Sequence, residues 1–177
     1  VNLLLEHGAD INAKTDSGET VLMVVITRVN YEISKFLIEN GADINEANNQ
    51  GYTALMRAAQ RGYTEVATIL LKNGADINEA DNQGFTALLW AAQSGYTEVV
   101  TLLLKNGADI NEALMATAEY GLTEVAYVLL KNGADVNVAN SQGFTALMSA
   151  AQSGHADVAT VLLKNGADVN VADNQGS

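Results

Sequence analysis

The chain has 177 residues, of which 17% are charged, and its formal net charge at pH 7 is −12. Nucleic acids and anionic membranes bind clusters of Lys and Arg, so this acidic composition argues against both as partners. The chain has no cysteine, which excludes a disulfide framework and a thiolate zinc site and fits an intracellular, cytoplasmic protein.

The tripeptide Gly-Ala-Asp divides the chain into repeated units. It begins at Gly8, Gly41, Gly74, Gly107, Gly133 and Gly166. The spacings between these glycines are 33, 33, 33, 26 and 33 residues. A period in this range predicts an array of stacked units that presents one long surface, on which the same few positions recur.

The predicted elements begin with residues 1–6, which we interpret as a second helix without its partner. Five predicted helix pairs follow, over residues 20–38, 53–72, 86–105, 114–131 and 145–164. The sequence starts and ends in the middle of a unit. We therefore expect residues 1–177 to be one repeat array that is part of a longer one.

The unit over residues 48–80 illustrates why each pair should form. Gly51 can adopt the positive φ of a tight turn, and Thr53 is a good N-cap for a helix whose apolar residues recur at i, i+3 and i+4. Gly62 interrupts that helix, and a second amphipathic helix runs to Gly74, the expected C-terminal glycine. The unit is therefore helix, turn, helix and extended loop.

This pattern resembles the ankyrin repeat. The resemblance rests on Gly51 to Leu55, Ala58-Ala59, Gly62 and Leu70 to Asn78, with copies at Gly84 to Asn111 and Gly143 to Asn170 and a looser one at Gly18 to Asn45. It implies an all-α repeat solenoid, in which antiparallel helix pairs stack and β-hairpin-like loops project from them.

Two departures from the family pattern stand out. A family histidine that hydrogen-bonds neighbouring loops is replaced by Met23, Met56, Leu89, Met115 and Met148, so we expect packing alone to hold the loops. In addition, the unit with the 26-residue spacing lacks seven residues, comprising the turn tip and the start of the first helix. Either a deletion has removed one projecting loop, or a loop is missing between Ala113 and Leu114 in the sequence as read.

Candidate functional residues lie where otherwise similar units differ. One first-helix position holds Val24, Arg57, Trp90, Ala116 and Ser149, and residues three and four positions later share its helix face. The resemblance implies that this face lines a concave groove. Together with the loop tips, it gives the predicted binding residues Tyr52, Arg57, Gln60, Arg61, Phe85, Trp90, Gln93, Ser94, Glu119, Tyr120, Phe144 and Ser149.

Trp90 is the strongest of these candidates, because it is the only tryptophan, lies centrally, and belongs to a residue type enriched in binding hot spots. The aromatic residues Tyr52, Phe85 and Phe144 have a second interpretation, namely that they pack loop against helix. Arg57 and Arg61 could equally be solvated charges.

Catalytic, metal and cofactor sites are not indicated. The two histidines, His7 and His155, lie almost at opposite ends of the chain, and the recurring aspartates lie about one repeat apart, too far to share a metal. The sequence thus predicts a monomeric, non-enzymatic scaffold that binds a protein or peptide and needs no cofactor. The alternatives are a structural spacer within a larger effector or enzyme, and an engineered repeat scaffold.

Overall fold

The computed structural model describes residues 7–28, 30–110 and 113–171. Within them the chain forms ten helices, arranged as five pairs. The first helices of the pairs are α1 (Val21–Thr27), α3 (Ala54–Arg61), α5 (Ala87–Gln93), α7 (Ala113–Tyr120) and α9 (Ala146–Gln152). The second helices are α2 (Tyr31–Glu39), α4 (Thr64–Lys72), α6 (Thr97–Lys105), α8 (Thr123–Lys131) and α10 (Ala156–Lys164). The helix predicted over residues 1–6 lies outside the described part of the chain.

Local sequence signals fix the bounds of each pair, as α3 and α4 show. The Thr53 side chain accepts a hydrogen bond from the Met56 backbone N–H at 3.3 Å, which caps the first turn of α3. Gly62 ends α3 in the left-handed conformation, with φ of 72°, and the N–H of Tyr63 then bonds back to the Ala58 carbonyl at 2.9 Å. The chain therefore reverses within two residues and begins α4.

The core runs along the whole stack as a continuous apolar layer. The first helices contribute small residues, such as Ala58 and Ala92, whose side chains are fully buried. The second helices contribute a leucine at one repeated position, and Leu70, Leu103, Leu129 and Leu162 are all 0% exposed. Each helix pair packs on its neighbours in sequence, so stability comes from contacts between adjacent units.

Four short hairpins project from the helix layer in the described residues. Each is closed by a single antiparallel bridge, at Lys14–Thr20, Ala47–Thr53, Ala80–Thr86 and Ala139–Thr145. We number them hairpins 1 to 4 in that order.

Hydrogen bonds, and not packing alone, tie neighbouring loops together, so our expectation from the missing histidine was wrong. The carbonyl of Ser17 in hairpin 1 accepts the N–H of Asn49 in hairpin 2 at 3.0 Å. At the base of the loops, the Asn45 side chain accepts the N–H of Asp76 from the next unit at 2.8 Å. The same bond recurs along the array, from Asp43 to Asn12, Asp109 to Asn78 and Asp168 to Asn137. Asparagines of the loops thus supply the links.

The shortened unit forms both of its helices. Helix α7 begins at Ala113, which is followed directly by Leu114, and both side chains are buried as deeply as their counterparts Ala87 and Leu88 in α5. No bridge like those of hairpins 1 to 4 is found between hairpins 3 and 4 in the described ranges. The helix layer is therefore continuous across a break in the hairpin row.

Candidate functional site

A depression of about 370 Å³ opens between hairpins 1, 2 and 3 and the helices α3 and α5. Its lining combines side chains from hairpins 1, 2 and 3 with others from α3 and α5. The lining residues are Glu19, Asn48, Gln50, Tyr52, Arg57, Gln60, Asp81, Asn82, Gln83 and Trp90. We call this the hairpin depression. Four of the predicted binding residues are part of this lining.

Trp90 lies half-buried at the wall of the hairpin depression and is held from three sides. Its indole Nε1 donates a hydrogen bond to Asp81 Oδ2 at 3.1 Å. Its ring meets Tyr52 edge to face, with 5.5 Å between centroids, and lies against Phe85 at 5.1 Å. Aromatic pairs at these separations are favourable beyond the area they bury. The indole is therefore fixed in position before any partner arrives.

Asp81 fixes the orientation of Trp90, and it was not among the predicted binding residues. Asp81 is 8% exposed, and its Oδ1 accepts the backbone N–H groups of Gln83 and Phe85, each at 2.9 Å. Asn48 and Asn140 occupy the equivalent position and accept the same pair of N–H groups in their own hairpins. Only a carboxylate offers a second acceptor for the indole. The signal was present, because among the units whose first helix lies within the sequence this position is acidic only in the one that contains Trp90.

Arg57 is the cationic residue in the lining of the hairpin depression, which also contains the carboxylates of Glu19 and Asp81. Its guanidinium forms an ion pair with Glu19 of hairpin 1, with side chains only 15% and 26% exposed respectively. It also lies over the ring of Tyr52, 5.0 Å from the centroid, in a cation–π geometry. Its Nε atom is buried and has no hydrogen-bond partner among the described residues. Arg57 thus links two hairpins and is not a freely solvated charge.

Tyr52 forms the floor beneath Arg57 and Trp90. It is 7% exposed, and its hydroxyl donates a hydrogen bond to the Met56 carbonyl at 3.4 Å. Burial raises the pKa of its phenol from 10.0 to about 12, and the positive charge of Arg57 offsets part of that rise. Tyr52 therefore stays neutral at any physiological pH and acts through its ring.

The structure brings together some of the predicted residues and leaves others apart. Four of them line the hairpin depression, namely Tyr52, Arg57, Gln60 and Trp90, and Phe85 supports Trp90 from behind. The others lie outside it, namely Arg61, Gln93, Ser94, Glu119, Tyr120, Phe144 and Ser149. Among these, Ser149 is only 8% exposed, whereas Tyr120 is 46% exposed. Besides Asp81, the polar lining residues Asn48, Gln50, Asn82 and Gln83 were not among the predicted set.

The hairpin depression has a lining of mainly polar and aromatic side chains. It offers carboxamides, an arginine and aromatic rings, which are suited to hydrogen bonding and stacking. Across residues 7–28, 30–110 and 113–171, no group of three His, Asp or Glu side chains is placed to hold a metal ion. None of the helices found in these ranges has the length and apolarity that a bilayer crossing requires.

Comparison with known proteins agrees with the geometry. A family model for ankyrin repeats in three copies matches residues 1–81 and 111–173, and a single ankyrin repeat model matches residues 83–113. A search of curated proteins gave no match. The family models cover most of the sequence, and the stacked helix pairs with projecting hairpins have the architecture that the repeat pattern implied. The chain therefore belongs to the ankyrin repeat family.

Proposed function

We propose that this chain is a non-enzymatic scaffold that binds a protein or peptide partner at the hairpin depression. Ankyrin repeats are in general protein–protein interaction modules. The observation that carries the proposal is the convergence of Trp90, Tyr52 and Arg57 on one depression at the hairpin tips. Trp, Tyr and Arg are the residues most enriched among those that dominate binding energy.

Preorganisation supports the same site. Trp90 is held by Asp81, and Arg57 is held by Glu19. Neither side chain therefore needs further ordering when a partner binds. Fixing a mobile side chain at an interface costs roughly 0.5–1.5 kcal/mol, which this arrangement avoids. The partner's own groups would then meet Gln50, Gln60 and Gln83, whose carboxamides both donate and accept hydrogen bonds.

The charge of the chain limits the classes of partner that we propose. With a net charge of −12, we infer neither nucleic acid nor an anionic membrane as the partner. A cytoplasmic location and a monomeric state belong to the same proposal.

The first part of the test identifies the partner by position. A photo-crosslinking amino acid is placed at Gln50, which lines the hairpin depression, or at Gln142, the equivalent tip position of hairpin 4. We expect Gln50 to crosslink one specific protein in cells and Gln142 to crosslink it weakly or not at all. Equal crosslinking from both tips would contradict a site centred on the hairpin depression.

The second part measures affinity with matched variants. Gln60→Lys fills part of the depression and places a charge beside Arg57, whereas Gln152→Lys makes the same change at the equivalent, exposed position of α9. We expect the first to weaken binding of the purified, crosslinked partner at least about tenfold and the second to leave it unchanged. If neither variant alters binding, the spacer alternative gains support over the scaffold.

A further inference from the structure

The hairpin row is built by one repeated pair of hydrogen bonds. At the joint between hairpins 1 and 2, the backbone N–H of Asn49 donates to the Ser17 carbonyl at 3.0 Å, and its side-chain amide donates to the Asp16 carbonyl at 3.0 Å. At the joint between hairpins 2 and 3, Asn82 makes the same two bonds, to the carbonyls of Gln50 at 2.9 Å and Asn49 at 3.1 Å. One asparagine at the tip of the incoming hairpin therefore makes each joint.

A third joint would follow hairpin 3, but its donor residue is absent from the described part of the chain. Its acceptors would be the carbonyls of Asn82 and Gln83, and no backbone N–H group in the described part of the chain donates to either. A Cβ built on Gly84 would meet no atom within 4 Å, whereas on Gly51 it would meet Asn82 atoms at 2.8 and 2.9 Å. Since Gly84 and Gly51 share a positive φ of 86° and 77°, the difference lies in the missing neighbour and not in the turn.

The width of this gap follows from the continuous helix layer. Helices α5, α7 and α9 pack successively, so hairpins 3 and 4 are separated by one unit, in whose described residues no hairpin bridge is found. Neighbouring helices in such stacks lie roughly 10 Å apart, which leaves space for one hairpin between the two. We call this space, bordered by residues 80–86 and 139–145, the notch.

We propose that the notch docks a tight turn of a partner protein that carries an asparagine at its tip. The partner's asparagine would donate its backbone N–H to the Gln83 carbonyl and its side-chain amide to the Asn82 carbonyl. The two intact joints of the same row define this chemistry, because there the identical pair of carbonyls receives those two donors from Asn49 and Asn82. This inference goes beyond the hairpin depression, which lies on the other side of hairpin 3.

The hydrogen-bonding groups explain why asparagine is favoured. The two carbonyls are both acceptors, so the incoming tip residue must supply two N–H groups. An aspartate there would direct a carboxylate oxygen at the Asn82 carbonyl, with no proton between them. The absence of a side chain at Gly84 leaves the space that the tip residue occupies at the other joints.

The test uses a head-to-tail cyclised peptide that carries the sequence of residues 80–86, Ala-Asp-Asn-Gln-Gly-Phe-Thr, since cyclisation preorganises the turn. We expect saturable NMR chemical-shift changes in the full chain at the backbone amides around Gln83 and Gly84. A control peptide with aspartate in place of its asparagine should bind about fivefold more weakly, because it lacks one hydrogen-bond donor. Absence of saturable binding by the first peptide, or equal binding by both, would overturn the proposal.

Two variants of the protein locate the binding. In one, a copy of residues 80–86 is inserted between Glu112 and Ala113, which should fill the notch and abolish peptide binding. In the other, Gly84→Asn directs a side chain into the notch from a residue type that tolerates positive φ, which should also abolish it. The second variant keeps the test decisive if the insertion fails to fold. Undiminished binding to a folded variant would show that the notch is not the site.

Discussion

The joints between hairpins 1, 2 and 3 and the open joint after hairpin 3 lie on the same helix layer and differ in what joins the loops. In the first, asparagine side chains and backbone groups bond each hairpin to the next. At the open joint, the described residues of the next unit form no hairpin bridge. Even so, Leu114 and Ala118 of α7 are as deeply buried as Leu88 and Ala92 of α5. Helix packing is therefore sufficient to continue the array, and the hairpin row is a separate layer that can be interrupted.

The largest expected effect tests whether the helix layer is equally strong in both regions. Leu70 in α4 and Leu103 in α6 occupy the same repeated position, and both are 0% exposed, but Leu103 belongs to the unit that borders the open joint. Replacing either with alanine removes buried methyl groups and leaves a cavity, so each should lower the free energy of unfolding by about 2–5 kcal/mol. Urea unfolding followed by circular dichroism measures the loss.

The informative quantity is the difference between the two losses in the free energy of unfolding. We expect the losses for Leu70→Ala and Leu103→Ala to agree within about 1 kcal/mol, because their surroundings in the helix layer are equivalent. A much smaller loss at Leu103 would mean that helix packing loosens where the hairpin is missing. In that case the two layers would be coupled, contrary to our interpretation.

A smaller effect should separate the two joints directly. Gly51→Ala and Gly84→Ala both place a β-carbon at positive φ, which costs about 1–2 kcal/mol in each variant. At Gly51 the new methyl group would also lie within 3.0 Å of Asp81 and Asn82 in the next hairpin, whereas at Gly84 it would meet open space. Overpacking of this kind typically costs a further 1–3 kcal/mol, so Gly51→Ala should be the more destabilised by about that amount.

Thermal or urea unfolding of the two glycine variants side by side gives the difference. Since the φ penalty is common to both, it cancels, and only the contact with the next hairpin remains. Equal stability of the two variants would indicate that hairpin 3 can move away from hairpin 2 at little cost.

Much of the fold could be predicted from the sequence, because its signals are local and repeated. Thr53 and Gly62 delimit α3 through contacts within five residues along the chain, and the same pair of residues recurs as Thr86 with Gly95 and as Thr145 with Gly154. The sequence did not predict how far the variable first-helix position is buried, because Arg57 and Trp90 are partly buried there whereas Ser149 is buried.

The organisation of the hairpin depression was harder to predict, because its contacts join different units. Glu19 and Arg57 are 38 residues apart in sequence, and nothing in either unit alone indicates their ion pair. Asn49 could be recognised as a turn residue, but its bond to the preceding hairpin depends on how the units stack. Asp81 was the exception, since comparison with Asn48 and Asn140 distinguishes it.

The smallest predicted effect concerns Asp81 and tests whether this residue of hairpin 3 is matched to Trp90 of α5. Asp81→Asn keeps an oxygen for the N–H groups of Gln83 and Phe85 but directs an amide donor at Trp90 Nε1, so that two donors face each other. Rotating the amide only moves the conflict to the backbone. We expect a loss of about 1–2 kcal/mol in the free energy of unfolding and a changed emission of the only tryptophan.

The matched control is Asn140→Asp in hairpin 4, where Ser149 stands at the position of Trp90. A carboxylate at residue 140 can still accept the two backbone N–H groups of its own hairpin, and no indole requires it, so stability should change by no more than about 0.5 kcal/mol. If both substitutions cost the same, the acidic residue at position 81 serves the hairpin turn in general. If only Asp81→Asn is costly, the loop residue and the helix residue of this unit are matched to each other, and the position of Trp90 at the hairpin depression depends on that match.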